Sequence, residues 1–63
     1  MGYREARVKA GLTMAEVAKK LNVSRTTIWL WETGRGNPLM ANLRKMAEIY
    51  GCTMAELIRE EAQ

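Results

Sequence analysis

Apolar residues recur along this chain at helical spacing, and two such runs meet across an unusually short join. In MAEVAKKL, Val17, Ala18 and Leu21 stand at i, i+1 and i+4, one face of a helix. In SRTTIWLW, Ile28 and Trp31 stand at i and i+3 and define a second face. Only Asn22 and Val23 lie between the two runs. Asn enters the left-handed region more cheaply than other non-glycine residues, so the first helix can end there without glycine. Val23 is then the apolar pin of the bend, and Ser24 is a strong N-cap for the next helix. Two amphipathic helices joined this tightly predict a helix-turn-helix, whose second helix has the dimensions to enter a DNA major groove.

The flanking pattern is helical as well. A first helix is predicted over Tyr3–Ala10, with Tyr3, Ala6 and Ala10 turned inward and Gly11 closing it. Leu12 anchors the link to the second helix, and Thr13-Met14-Ala15-Glu16 reads as a capping box. The same tetrapeptide recurs as Thr53-Met54-Ala55-Glu56 at the start of the last helix; its flanks differ, so it is convergent capping chemistry and not a repeat. Residues 33–39 read as a loop carrying Gly34, Gly36 and Pro38. A fourth helix is predicted from about Met40 to Tyr50, with Met40, Leu43, Met46, Ala47 and Tyr50 inward and Gly51 at its end. The fifth runs from about Met54 to Arg59 with Leu57 and Ile58 inward, and the last residues fray. No stretch alternates with period two, so the class is all-α.

Sixty-three residues form one domain, 1–63. One cysteine and no histidine rule out an internal disulfide framework and the usual zinc finger, so stability must come from helix packing, helped by dimerisation. No apolar run approaches a membrane span and no secretory signal precedes the fold, which points to the cytoplasm. The net charge of +3 is unevenly distributed. Residues 1–45 carry nine Lys/Arg against three Glu, a balance of +6, whereas residues 46–63 carry Arg59 against four Glu, a balance of −3. The basic part contains the paired helices, as expected if that end meets phosphates.

The residues now in view resemble the Cro/repressor-type (XRE-like) helix-turn-helix family. The resemblance lies in Ala18 at the close helix contact, in apolar Val17, Leu21, Val23, Ile28 and Trp31, in the exit Trp31-Glu32-Thr33-Gly34, and in Pro38 followed by Leu43-Arg44-Lys45-Met46-Ala47. It extends from Arg4 to Ile58 and implies a five-helix lambda-repressor-like DNA-binding domain, with the helix-turn-helix at helices 2 and 3 and a recognition helix over about 24–32. It further implies an ion pair between Arg7 and Glu32 that ties helix 1 to the end of the recognition helix. Ser or Thr usually caps helix 4 in this family, and here Leu39 holds that place. Either Asn37 supplies the cap or that end is less well held.

Stepping about 100° per residue from Arg25 puts Trp29, Thr26 and Leu30 within one outward arc of about 140°. Thr27, Ile28, Trp31 and Ser24 occupy the other side. By resemblance, Arg25, Thr26, Trp29 and Leu30 are the base-contacting positions. Arg25 suits a bidentate contact to guanine, and its plainer role is a phosphate contact or a free surface charge. Thr26 suits a thymine methyl or a hydrogen bond. Trp29 and Leu30 depart from the family's small or polar residues and offer apolar packing to thymine methyls and sugars; the alternative for Trp29 is partial burial against helix 2 or the 33–39 loop. Phosphate contacts are expected from the helix starts at Met14, Ser24 and Thr27, and from Lys19, Arg35, Asn37 and Arg44. Met14 is also a departure, standing where the family commonly has Gln.

The catalytic inventory is thin. There is no His and no Asp, and Cys52 lacks a partner base and reads as a small core residue. The glutamates form no cluster for acid–base or metal chemistry, and Gly34-Arg35-Gly36 is too short for a nucleotide loop. A non-enzyme without cofactor or metal is expected. Two functions fit. The first is a regulator, a repressor of phage, mobile-element or antitoxin type, acting on double-stranded DNA in the bacterial nucleoid as a homodimer on a pseudo-palindromic operator. The second is a protein-interaction module, antitoxin-like or anti-repressor, using Met14, Trp29 and Leu30 to bind a partner. Family analogy puts dimer contacts at Tyr50, Cys52, Met54, Leu57 and Ile58, and the alternative is that all five are intramolecular core.

Overall fold

The helix boundaries follow from chemistry at their ends. At the start of α2 (Met14–Leu21), Thr13 Oγ1 accepts from the Glu16 amide at 3.1 Å while Glu16 Oε1 accepts from the Thr13 amide at 2.8 Å. This reciprocal pair satisfies two otherwise orphaned donors. Thr53 and Glu56 make the same exchange, at 3.0 and 2.9 Å, before α5 (Met54–Ile58). Ser24 caps α3 (Arg25–Glu32) by accepting from the Thr27 amide at 3.1 Å. With α1 (Tyr3–Lys9) and α4 (Met40–Tyr50), these are the five helices among the described residues, which are 2–58 of a computed structural model.

Four helix ends close in the same way. After α1, α2, α3 and α4, one residue turns left-handed: Gly11, Asn22, Gly34 and Gly51. The amide after it then reaches five residues back, as in Val23 N to Ala18 O at 3.0 Å and Cys52 N to Ala47 O at 3.0 Å. Asn22, at φ 59° and ψ 45°, is the single non-glycine among them. Leu12, Val23 and Cys52 follow three of these turns and pack against the core. Arg35 follows the fourth.

The core joins all five helices: Ala6, Val17, Ala18, Leu21, Ile28, Trp31, Leu43, Met46, Ala47, Tyr50 and Leu57, with Val17, Ile28, Met46 and Leu57 the most deeply buried. α2 packs most closely on α3, and α4 lies across α2 and α5 while α1 braces α3, α4 and α5 from behind. The body measures 31 × 23 × 21 Å.

Several expectations from the pattern are corrected. Helix 1 stops at Lys9, and Ala10 is exposed, because the reversal at Gly11 leaves it on the outer side of the turn. Met40 shares a face with Leu43 yet is 61% exposed, since a helix face is buried only as far as a neighbour covers it. Ile58 is likewise exposed, one helical step round from Leu57, which fills the interior. α4 begins on Leu39 with no side-chain cap, so Asn37 does not supply one. The predicted end of helix 5 at Arg59, the fraying beyond it and the charges of Arg59, Glu60 and Glu61 lie outside the described residues.

Candidate nucleic-acid interface

The orientation of α3 decides what it can meet. Ile28, at 1% exposure, and Trp31 lock the helix to the body. Arg25, Thr26 and Trp29 face outward on the opposite side, with Leu30 half-buried beside them. Trp29 is 42% exposed, so it is not sunk against helix 2. One face of its ring is nonetheless covered: the Arg35 guanidinium carbon lies over it, 4.9 Å from the ring centroid. Trp29 thus lies on the groove side and against the 33–39 loop at once.

Between the start of α2 and this outward face runs an open groove of about 620 Å³. Leu12, Thr13, Met14 and Ala15 line one side, and Arg25, Thr26 and Trp29 the other. The N-terminal ends of α2 and α3 present amides carrying partial positive charge, suited to anionic oxygens. Met14 brings only its backbone amide to such a contact, because its thioether donates no hydrogen bond and its side chain packs half-buried against the core. Ser24 and Thr27 are engaged with each other, their hydroxyl oxygens 2.9 Å apart. Lys19, Arg35, Asn37 and Arg44 are exposed.

Behind the groove, Arg7 Nε donates to Glu32 Oε2 at 2.6 Å and Nη2 donates to Oε1 at 3.1 Å. Nη1 donates to the Leu12 carbonyl at 2.9 Å, so one guanidinium ties α1, the α1–α2 link and the end of α3 together. The two side chains are only 10% and 3% exposed. Hydrogen bonding to Glu32 holds the Arg7 guanidinium above its ordinary pKa against the opposing effect of burial. The carboxylate at the end of α3 is thereby neutralised from within. Tyr50 lies in the field of this pair; burial first, and the Glu32 charge second, push its phenol up to about 12.

Of the residues expected at a dimer contact, Tyr50 and Leu57 are buried inside the protomer, Cys52 and Met54 are half-buried against the core, and Ile58 is exposed. Burial raises the Cys52 thiol pKa, which disfavours the thiolate a nucleophile needs. Among the described residues, no three His, Cys, Asp or Glu are grouped to hold a metal ion. No described helix is long and apolar enough to cross a membrane. The apolar Met14–Trp29–Leu30 surface is smaller than the sequence suggests, since Met14 and Leu30 are both half-buried. Trp29 meets the 33–39 loop as the alternative reading had it, but two features were not anticipated: that Arg35 is the loop residue over its ring, and the exposed pair Leu39 and Met40 at the start of α4, 77% and 61% accessible.

The helix-turn-helix family model matches residues 4–57. The chain is 36% identical over 58 residues to the HTH-type transcriptional activator BcrR of Enterococcus faecalis, covering 92% of this chain and 28% of that protein. It is 39% identical over 54 residues to an HTH-type transcriptional regulator of Archaeoglobus fulgidus, covering 86% of this chain and 77% of that one. To the cryptic phage CTXphi transcriptional repressor RstR of Vibrio cholerae it is 33% identical over 57 residues, 90% of this chain and 51% of the repressor. It therefore spans about a quarter and about half of two of these relatives. No solved structure matches significantly.

Proposed function

We propose, from the premise that the chain belongs to the helix-turn-helix family in its Cro/repressor (XRE-like) form, that it is a non-enzymatic DNA-binding regulator of transcription. In this reading α3 lies in the major groove. Arg25 contacts a guanine edge, Thr26 and Leu30 pack beside it, and the start of α2 with Ser24, Thr27, Lys19, Asn37 and Arg44 follows the phosphates. The observation that carries the reading is the division of α3 into a face locked by Ile28 and Trp31 and a face that exposes Arg25, Thr26 and Trp29. The ion pair of Arg7 with Glu32 supports it, because it removes the one α3 carboxylate from the field a phosphate would feel.

A body 31 × 23 × 21 Å fits beside a second copy when half-sites are about 34 Å apart, one helical turn. A homodimer on a pseudo-palindromic operator is therefore part of the proposal, with exposed Ile58 and half-buried Cys52 and Met54 available for contact. Occupying such a site in the nucleoid would exclude polymerase, a repressor's action. The protein-interaction alternative loses ground because Met14 and Leu30 offer little free area.

Selection from a random-sequence duplex pool at two salt concentrations tests the reading. Enrichment of a two-fold symmetric site, with affinity falling steeply as salt rises, is the expected result. Retention without sequence enrichment, or none at either salt, would refute it.

A further inference from the structure

We propose that Arg35 is a positioning residue for Trp29, and that Trp29 so held reads thymine by its methyl group; this rests on the reading of α3 as the DNA-facing helix. Three of the four matching helix closures are followed by residues that pack on the core, Leu12, Val23 and Cys52. At the fourth, Arg35 folds over the indole of Trp29, with its guanidinium carbon 4.9 Å from the ring centroid. The arrangement is braced at several points. The Arg35 amide donates to the Leu30 carbonyl at 2.9 Å, and Thr33 Oγ1 donates to the Trp29 carbonyl at 2.8 Å. At Gly36, an added Cβ would already touch Leu30 and Trp31, each at 3.8 Å, so the loop lies close on the end of α3.

A cation over the ring face restricts how the indole can turn. An exposed tryptophan that is already held loses less freedom on docking than a free one. What it then offers the groove is an apolar edge with a single N–H donor, and the only base presenting an apolar group in the major groove is thymine, through its C5-methyl. Arg25 and Thr26, which line the same groove, supply the polar contacts alongside. The guanidinium of Arg35 acts on the ring, and its charge toward phosphate is secondary.

The test uses the full chain and the duplex it selects from a random pool, prepared with thymine or with deoxyuridine, which lacks only the methyl. For the parent chain, each contacted methyl removed should weaken binding roughly fourfold, the worth of burying about one CH2. Trp29→Ala should bind both duplexes equally, and Trp29→Phe should keep part of the discrimination. Arg35→Lys should keep the salt dependence yet lose most of the discrimination, because the charge remains and the broad guanidinium over the ring does not. The proposal is overturned by a selected site without thymine, by a parent chain indifferent to the methyl, or by Arg35→Lys discriminating like the parent. It is also overturned if Arg35→Ala flattens the salt dependence by about one unit of slope while methyl discrimination persists, which is the mark of a phosphate contact. Failure of the underlying reading looks different: no duplex is retained in a salt-dependent way.

Discussion

Replacing Arg7 with Met isolates the ion pair that ties the end of α3 to α1. The substitution keeps most of the side-chain volume but leaves the Glu32 carboxylate, 3% exposed, without its cation, and the Leu12 carbonyl without its donor. Breaking one side of a buried pair costs about 3–5 kcal/mol. The Arg7 side chain is 10% exposed, so the lower end of that range, about 3 kcal/mol, applies. A domain of this length is expected to hold only about 3–9 kcal/mol in total. At about 4–8 °C per kcal/mol, the melting temperature should fall by roughly 12–24 °C. Adding Glu32→Leu removes the stranded charge, and the double variant should return to within about 1–2 kcal/mol of the parent. Thermal and urea unfolding followed by far-UV circular dichroism, run as a double-mutant cycle, gives the coupling directly. An Arg7→Met variant melting within a few degrees of the parent, or a double variant as weak as the sum of the singles, would refute the reasoning.

Other consequences are testable by the same melts. The Tyr50 hydroxyl is buried with no hydrogen-bond partner among the described residues, and its pKa is pushed up to about 12. The fold thus favours the neutral phenol, so stability is fully present below about pH 10, the unfolded value, and is lost as pH rises through the folded one. Tyr50→Phe should gain about 1 kcal/mol near neutrality and lose less on the alkaline side; a loss at neutral pH would show that the hydroxyl has a partner. The Thr13 amide holds the Glu16 carboxyl below its ordinary pKa, so its contribution is present above that value and fades as pH falls; Glu16→Gln should flatten the acid limb of the stability profile. Asn22 sits left-handed, so Asn22→Ala should cost about 1 kcal/mol and Asn22→Gly should cost nothing or stabilise, read from urea midpoints at constant slope.

Most of the fold was legible because its signals are local. The capping boxes at Thr13 and Thr53, the glycines at 11, 34 and 51, and the spacing of Ile28 and Trp31 each act within a few residues of one another. Errors fell where a long-range fact decides. Met40 and Ile58 lie at helix ends whose exposure depends on what a neighbouring element reaches, and periodicity carries no such information. Ala10 lies outside the buried face because α1 ends at Lys9, one residue before the apolar pattern does. On α3, the outward position of Arg25, Thr26 and Trp29 could be read from their angular spacing. The stack of Arg35 on Trp29 could not, because it requires knowing that the chain doubles back at Gly34; the one hint is an arginine where the other closures carry apolar residues.

The central claim is that the face of α3 opposite Ile28 and Trp31 meets the edges of DNA bases. Its most direct test is the affinity of the Arg25→Ala chain for the selected duplex and for variants changed at each position, measured by fluorescence anisotropy at fixed salt. A true base contact should cost roughly 5- to 150-fold, about 1–3 kcal/mol, and abolish preference at one guanine while leaving the others intact. An Arg25→Ala chain that binds with unchanged affinity and unchanged base preference would contradict the account.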